Sequence, residues 1–208
     1  MPGIVGIIEK GAHEEHTRVI QNMGKSLENE SFHASGTFAD EELGLKLSWS
    51  CRKDSFADCL PIWNEQKDIC LIFMGEDARD EAEITAIKVR GHLCSTDKAD
   101  YLVHLYEEQG ERFLETINGG FSGVLMDYRR RRTFLFNDRF GLNRLYYHEN
   151  DKGLFFSSEA KPLLRVFPQL RSYNYKSLGQ FFSWGCVLDN NTLFSDIRLI
   201  PGGSLWSF

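Results

Sequence analysis

Phe121-Ser122-Gly123-Val124-Leu125-Met126-Asp127-Tyr128 and Thr133-Phe134-Leu135-Phe136-Asn137 are two apolar, strand-like runs joined by Arg129-Arg130-Arg131-Arg132. Two such runs around a short polar connection predict a β-hairpin. A second pair follows, Leu145 to His148 and Leu154 to Ser157, with Asn150-Asp151-Lys152-Gly153 supplying the turn chemistry. Working outward, residues 2–8 read as a buried strand. Phe32 to Phe38 and Leu43 to Trp49 alternate as strands do, and Arg52 to Leu60 is a polar loop. Ile69 to Met74 is continuously apolar, which suits a strand covered on both faces. Glu14 to Leu27 places Val19, Ile20, Met23 and Leu27 at helical spacing. Further helices are predicted over Glu81 to Val89, Ala99 to Glu108, Glu159 to Val166 and Tyr175 to Trp184, and a last strand over Ser204 to Phe208. Strands outnumber helices and cluster in hairpins, so the pattern predicts packed antiparallel sheets and not a parallel α/β sheet.

At 208 residues the chain suits one domain with a substantial core. A net charge of -6 argues against general nucleic-acid binding, and the run of four arginines reads as a solvated hairpin tip. No apolar run approaches the roughly 20 residues of a membrane helix. The N-terminus has no basic stretch leading into an apolar one, so no secretory signal is expected. Five cysteines without a C-x-x-C pair point to neither a disulfide framework nor a zinc site, and reduced thiols in a cytoplasmic protein are expected. His13, His16, His33, His92, His104 and His148 show no metal-ligand spacing, so no metal site is expected.

Several motifs stand in one order along the chain. They are Asn118-Gly119-Gly120-Phe121-Ser122-Gly123, then Asn137-Asp138-Arg139-Phe140-Gly141, with Leu145-Tyr146-Tyr147 after it, then Phe156-Ser157-Ser158-Glu159-Ala160-Lys161. Leu193-Phe194-Ser195-Asp196-Ile197 and Ile200-Pro201-Gly202-Gly203 complete the series. Together they resemble the class II glutamine amidotransferase domain of asparagine synthetases. The resemblance implies an α+β, four-layer αββα sandwich of two mostly antiparallel sheets, the N-terminal-nucleophile hydrolase fold. It implies a single glutaminase-like domain over residues 1–208, with Phe121, Val124, Leu125, Phe134, Leu135, Phe136, Tyr146 and Phe156 in its core. The family's ATP-binding synthetase domain would follow at about Pro201 to Phe208 and lies outside this chain.

The same resemblance assigns a site. The family opens Met-Cys-Gly-Ile-Val-Gly-Ile, with the cysteine as nucleophile; here the opening is Met1-Pro2-Gly3-Ile4-Val5-Gly6-Ile7, so Pro2 holds the nucleophile position. Proline has no thiol to activate. The family's oxyanion segment N-G-E-I-Y-N aligns with Met74-Gly75-Glu76-Asp77-Ala78-Arg79, so Met74, which has no N–H to donate, replaces the oxyanion asparagine beside Gly75. Arg52, Glu76 and Asp97 are the substrate-binding remnant: an arginine for the substrate carboxylate and two acids for its ammonium. Each has a plain alternative. Arg52 reads equally as a surface arginine, Glu76 as a solvated loop carboxylate, and Asp97 as a helix N-cap. Asp138 and Arg139 read as structural, an ion pair or hairpin brace. The family's R-G-P-D motif has no match in Asn29 to Gly36.

The resemblance therefore implies a degenerate glutamine amidotransferase domain of an asparagine-synthetase-like, ATP-dependent amide-forming ligase, such as a relative of β-lactam synthetases or lasso-peptide cyclases. It would act as a scaffold or docking domain. Its partner would be a synthetase-type ATP-binding domain in cis or trans, or a second copy in a homodimer. No cofactor is expected in this chain, ATP and Mg belonging to the synthetase domain. The alternative is the N-terminal part of a glutamine-hydrolysing asparagine synthetase with real amidotransferase activity. A minor third reading makes an exposed Pro2 secondary amine a base.

Overall fold

The computed structural model describes residues 2–11, 15–27 and 31–208. In chain order its elements are β1 (Gly3–Glu9), α1 (Glu15–Gly24), β2 (His33–Asp40), β3 (Leu45–Arg52), β4 (Ile62–Trp63), β5 (Ile69–Gly75), α2 (Glu81–Val89), α3 (Tyr101–Gln109), α4 (Phe113–Thr116), β6 (Phe121–Asp127), β7 (Arg132–Asn137), β8 (Tyr146–Asn150), β9 (Gly153–Ser157), α5 (Ala160–Val166), α6 (Tyr175–Trp184), β10 (Arg198–Leu199) and β11 (Leu205–Ser207). They fall into two compact units, one within Met1–Ser50 and Arg144–Gly202, the other within Cys51–Asn143 and Gly203–Phe208.

The first unit carries a six-stranded sheet in the order β10-β8-β9-β1-β3-β2. Its β1 is flanked on both sides, Gly3 opposite Ser50 and Val5 opposite Ser157. Ile20, Met23 and Leu27 pack with Val5, Ile7, Phe155 and Leu163 in one apolar cluster. The second unit carries a five-stranded sheet in the order β11-β7-β6-β5-β4. β5 and β6 are buried along nearly their whole length, as the unbroken apolar run of β5 requires. Phe73, Tyr101, Tyr106, Phe113, Phe121 and Phe136 belong to that unit's core, with α2 and α3 contributing Ile84, Ile87, Leu102 and Leu105. Every described strand pairing is antiparallel.

The structure departs from the sequence reading in particular places. The helix expected over Glu14 to Leu27 is described from Glu15 and ends at Gly24, where a Cβ would stand 2.5 Å from Ser48 Oγ; Glu14 lies outside the described residues. The helix expected from Ala99 starts at Tyr101. β4, β10 and α4 were not anticipated. Tyr146 is half-buried at the margin of the first unit's cluster, and the other seven expected core residues are buried. The arginine run is more than a solvated tip. Asp127, fully buried, accepts a hydrogen bond from Tyr106 Oη at 2.8 Å and from the Arg130 N–H at 3.1 Å, with the Arg129 and Arg130 guanidinium groups 3.6 and 3.7 Å away.

Candidate functional site

Pro2 belongs to the first unit and is exposed, immediately before β1. The strand ladder begins at Gly3, so a residue without an N–H costs no sheet hydrogen bond there. The start of β1 is fixed by Ser158: the Ile4 N–H donates to Ser158 Oγ at 2.9 Å, and the Ser158 N–H donates to the Ile4 carbonyl at 2.9 Å.

Arg52, Met74, Gly75, Glu76 and Asp97 belong to the second unit. Met74 is buried in β5 opposite Ser122, and Gly75 faces Phe121 across β6. Gly75 has φ 136°, and a Cβ there would come within 2.2 Å of the Gly120 carbonyl oxygen and 2.6 Å of Phe121 Cα. Both the backbone angle and the close approach demand glycine. The Glu76 N–H donates to the Gly120 carbonyl at 3.1 Å while its side chain is exposed. Asp77 turns inward. Its carboxylate accepts the Asn118 N–H at 2.8 Å, the Tyr101 hydroxyl at 2.8 Å and Arg79 Nε at 3.1 Å. Arg79 also donates to Glu83 and to the Thr116 carbonyl, at 2.8 and 2.7 Å. Burial works against the Arg79 charge, but Asp77 first, with Tyr101 and Glu83, more than offsets it and holds the guanidinium above its ordinary pKa. Burial, and then the Asp77 acceptor, push the Tyr101 hydroxyl well up. Arg79 is thus committed to an internal network.

Arg52, expected in a loop, is the last residue of β3, and Asp97 lies in the loop before α3; both are exposed. The Ala99 N–H donates to the Phe56 carbonyl at 3.0 Å, and Lys98 Nζ donates to the Ser55 carbonyl at 3.0 Å. Phe56 packs against Phe73 and Tyr101 with ring centroids 6.0 Å apart, which ties these loops to β5 and α3. Asp97 is not the N-cap of the helix that follows it. Asp100 stands at that position and turns its carboxylate back onto the Ser95 N–H and Oγ, at 2.8 and 2.9 Å.

Asp138 and Arg139 part company. Asp138 accepts four backbone N–H groups, from Phe121, Phe140, Leu142 and Asn143, at 2.8–3.2 Å. Of the two structural roles offered by the sequence, ion pair or hairpin brace, Asp138 takes the brace. Arg139 is exposed and borders a cavity of about 390 Å³ with Thr116, Asn118, Phe140 and Ser204. None of Arg52, Met74, Gly75, Glu76 or Asp97 lines that cavity.

The remaining thiols offer no ready nucleophile in this unit. Burial raises Cys51 above its ordinary value, with Asp58 adding to the effect, and pushes Cys59 up to about 11. Burial raises Cys70 and Cys94 too. Thiols shifted in this direction stay protonated at neutral pH.

Two antiparallel sheets in an α+β arrangement, with a glycine-locked turn after β5, define an N-terminal-nucleophile-type amidotransferase fold. Over 99% of its length the chain superposes on glutamine phosphoribosylpyrophosphate amidotransferase from Bacillus subtilis, with TM-score 0.64, 13% identity and 48% of that chain covered. The chain belongs to the glutamine amidotransferase domain family, whose model matches residues 1–208. It is similar to asparagine synthetase [glutamine-hydrolyzing] 2 of Bacillus subtilis, 29% identical over 188 residues, which is 85% of this chain and 24% of that protein. It is also similar to asparagine synthetase [glutamine-hydrolyzing] of Triphysaria versicolor, 35% identical over 131 residues, 60% of this chain and 22% of that protein. The chain spans about a quarter of the length of these curated relatives.

Proposed function

We propose that this amidotransferase domain does not hydrolyse glutamine and serves as a scaffold or docking domain for an asparagine-synthetase-like, ATP-dependent amide-forming ligase. The observation that carries the proposal is the pairing of Pro2 at the nucleophile position with Met74 at the oxyanion position. Glutamine hydrolysis needs a thiolate to attack the side-chain amide and a preorganised donor for the oxyanion that forms. A tertiary prolyl nitrogen or a secondary prolyl amine supplies no thiolate. A thioether donates no hydrogen bond. Cys51, in β3, and Cys59 are held protonated chiefly by burial. A ligase that takes its amine from the substrate itself needs no ammonia, so the loss is compatible with a working partner.

A second observation supports docking. α6 and its flanks leave large apolar side chains in solvent, with Tyr175 83%, Phe182 82% and Trp184 64% exposed. Large apolar side chains gathered in solvent on one short helix are what a docking partner would cover. The occupant we assign is the ATP-binding synthetase-type domain, because the relatives carry about three quarters of their length beyond the part matched here. ATP and Mg belong to that domain. Glutamate release from glutamine, measured with purified protein against a blank, tests the first half of the proposal. Turnover that survives removal of contaminating glutaminases would instead favour an active glutamine-hydrolysing asparagine synthetase.

A further inference from the structure

Glu65, His92, His104 and Glu107 bring one potential ligand atom each within 4.8 Å of one another, and none of the four is among the residues assigned to the glutamine site. They come from three separate segments of the second unit: the turn between β4 and β5, the loop after α2, and α3. Their dispersal over three segments explains why spacing gives no metal signature for His92 and His104.

We propose that these four residues form a binding site for one zinc-class divalent transition metal ion, a structural clamp on the β4–β5 turn, the α2–α3 loop and α3. The donors are two imidazoles and two carboxylates, a set that suits zinc and whose two negative charges balance the ion. Ligands on a tetrahedral zinc at bond lengths of 2.0–2.1 Å stand roughly 3.3 Å apart. Here His104 Nδ1 is 2.8 Å from Glu107 Oε2 and 3.7 Å from Glu65 Oε2, and His92 Nδ1 is 3.8 Å from Glu107 Oε2. Small side-chain adjustments bring these to coordination distance.

The outer contacts are those of a metal site. Each carboxylate has one oxygen already held and the other turned to the centre. Glu65 Oε1 accepts the Leu93 N–H at 3.0 Å, and Glu107 Oε1 accepts from Asn64 Nδ2 at 2.8 Å. His92 turns Nδ1 inward and leaves Nε2 3.4 Å from Glu108 Oε1, a carboxylate itself fixed by Arg90 at 2.6 and 2.9 Å. A carboxylate behind the second ring nitrogen is what orients a ligating histidine. The two imidazole rings stack with centroids 4.5 Å apart, so their orientations are mutually fixed. His104 is buried, while His92 and Glu65 keep 22% and 33% of their side-chain area exposed and give an ion its path in. Four protein ligands leave no open position, which is the arrangement of structural and not catalytic sites.

The test is zinc titration of the purified chain after chelator treatment, read by chelator competition and by melting temperature. The expected result is one ion per chain and a melting temperature that rises with free zinc, as binding to the folded state alone requires. His92→Ala and Glu65→Gln, both at partly exposed positions, should weaken binding at least tenfold and abolish the thermal shift; Glu41→Gln should change neither. X-ray absorption of the zinc-loaded parent supplies a readout that needs no variant: two nitrogen and two oxygen neighbours at about 2.0–2.1 Å. Zinc bound equally well by His92→Ala, a spectrum without imidazole scattering, or no thermal shift in the parent would each overturn the site. None of these readouts depends on glutaminase activity.

Discussion

Asp138 and Phe121 bind each other twice: the Phe121 N–H donates to Asp138 Oδ2 at 3.2 Å, and the Asp138 N–H donates to the Phe121 carbonyl at 2.8 Å. The same carboxylate collects the N–H groups of Phe140, Leu142 and Asn143, so one side chain stitches the start of β6 to the loop after β7. Asp138→Ala should therefore strand four backbone N–H groups, the buried one of Phe121 among them, and cost roughly 3 kcal/mol or more. For a domain of this size that lowers the melting temperature by roughly 6–12 °C. Asp138→Asn, which keeps one acceptor but turns an amide donor toward N–H groups, should recover only part of the loss. Thermal unfolding followed by circular dichroism distinguishes these; an alanine variant melting within 2 °C of the parent would remove the brace.

The exposed aromatics of α6 should matter for association and little for folding. The helix is held by its ends, the Asn174 side chain accepting the Ser177 N–H at 3.1 Å and Gly185 closing it in the left-handed region at φ 74°. Phe182→Ser with Trp184→Ser removes surface that is already in water. The double variant should unfold within a few degrees of the parent and bind a synthetase-type ATP-binding domain at least tenfold more weakly, by titration calorimetry. Unchanged affinity would move the docking surface elsewhere.

How far the sequence reveals this molecule depends on which physical signal each part carries. α2 and α6 lie where apolar spacing puts them, because caps and periodicity are local: Asp80 accepts the Ala82 N–H at 3.0 Å, and Asn174 does the same service at α6. The β6–β7 and β8–β9 hairpins are legible for the same reason. β4 and β10, two residues each, have no period to detect and exist only through their partners. α3 starts late because Asp100 spends its carboxylate on Ser95. Motif order located the β5 turn and the Asp138 segment, yet the network of Asp77 and Arg79 has no sequence signal, since it is closed by Tyr101, Thr116 and Asn118 far along the chain. The stacking of His92 on His104 joins two separate segments and has no spacing to show it either.

Thiol chemistry should follow burial. At a pKa of about 11, Cys59 is roughly one part in a thousand thiolate at pH 8. Its alkylation by iodoacetamide, followed by peptide mass spectrometry, should be slow at pH 7–8 and accelerate about tenfold per pH unit toward 11 while the fold holds. The sign for stability runs the other way. A thiol whose folded value is raised contributes fully below its ordinary value of 9.0, and that contribution is lost as pH rises through about 11. Unfolding by urea should therefore become easier between about pH 9 and 11, and less so in Cys59→Ala. Rapid alkylation of Cys59 at pH 7 would contradict its half-buried, protonated state.

The decisive prediction concerns chemistry at two positions together. Pro2→Cys supplies a thiol at an exposed position before β1, where the strand ladder imposes no constraint, so the variant should fold like the parent. It should still release glutamate from glutamine no faster than a blank. In the proposed reading Met74 stands where the oxyanion donor is needed, and a missing donor there costs about 100- to 1000-fold in rate. Met74→Asn alone adds a donor but no nucleophile and should be equally inactive. Only Pro2→Cys with Met74→Asn meets both requirements, and its turnover should exceed that of Pro2→Cys by about 100-fold or more, measured by coupled glutamate oxidation after correct removal of Met1 is verified by mass. A Pro2→Cys variant as fast as the double variant would show that Met74 does not occupy the oxyanion position, and would return the domain to the glutamine-hydrolysing class with a single residue changed.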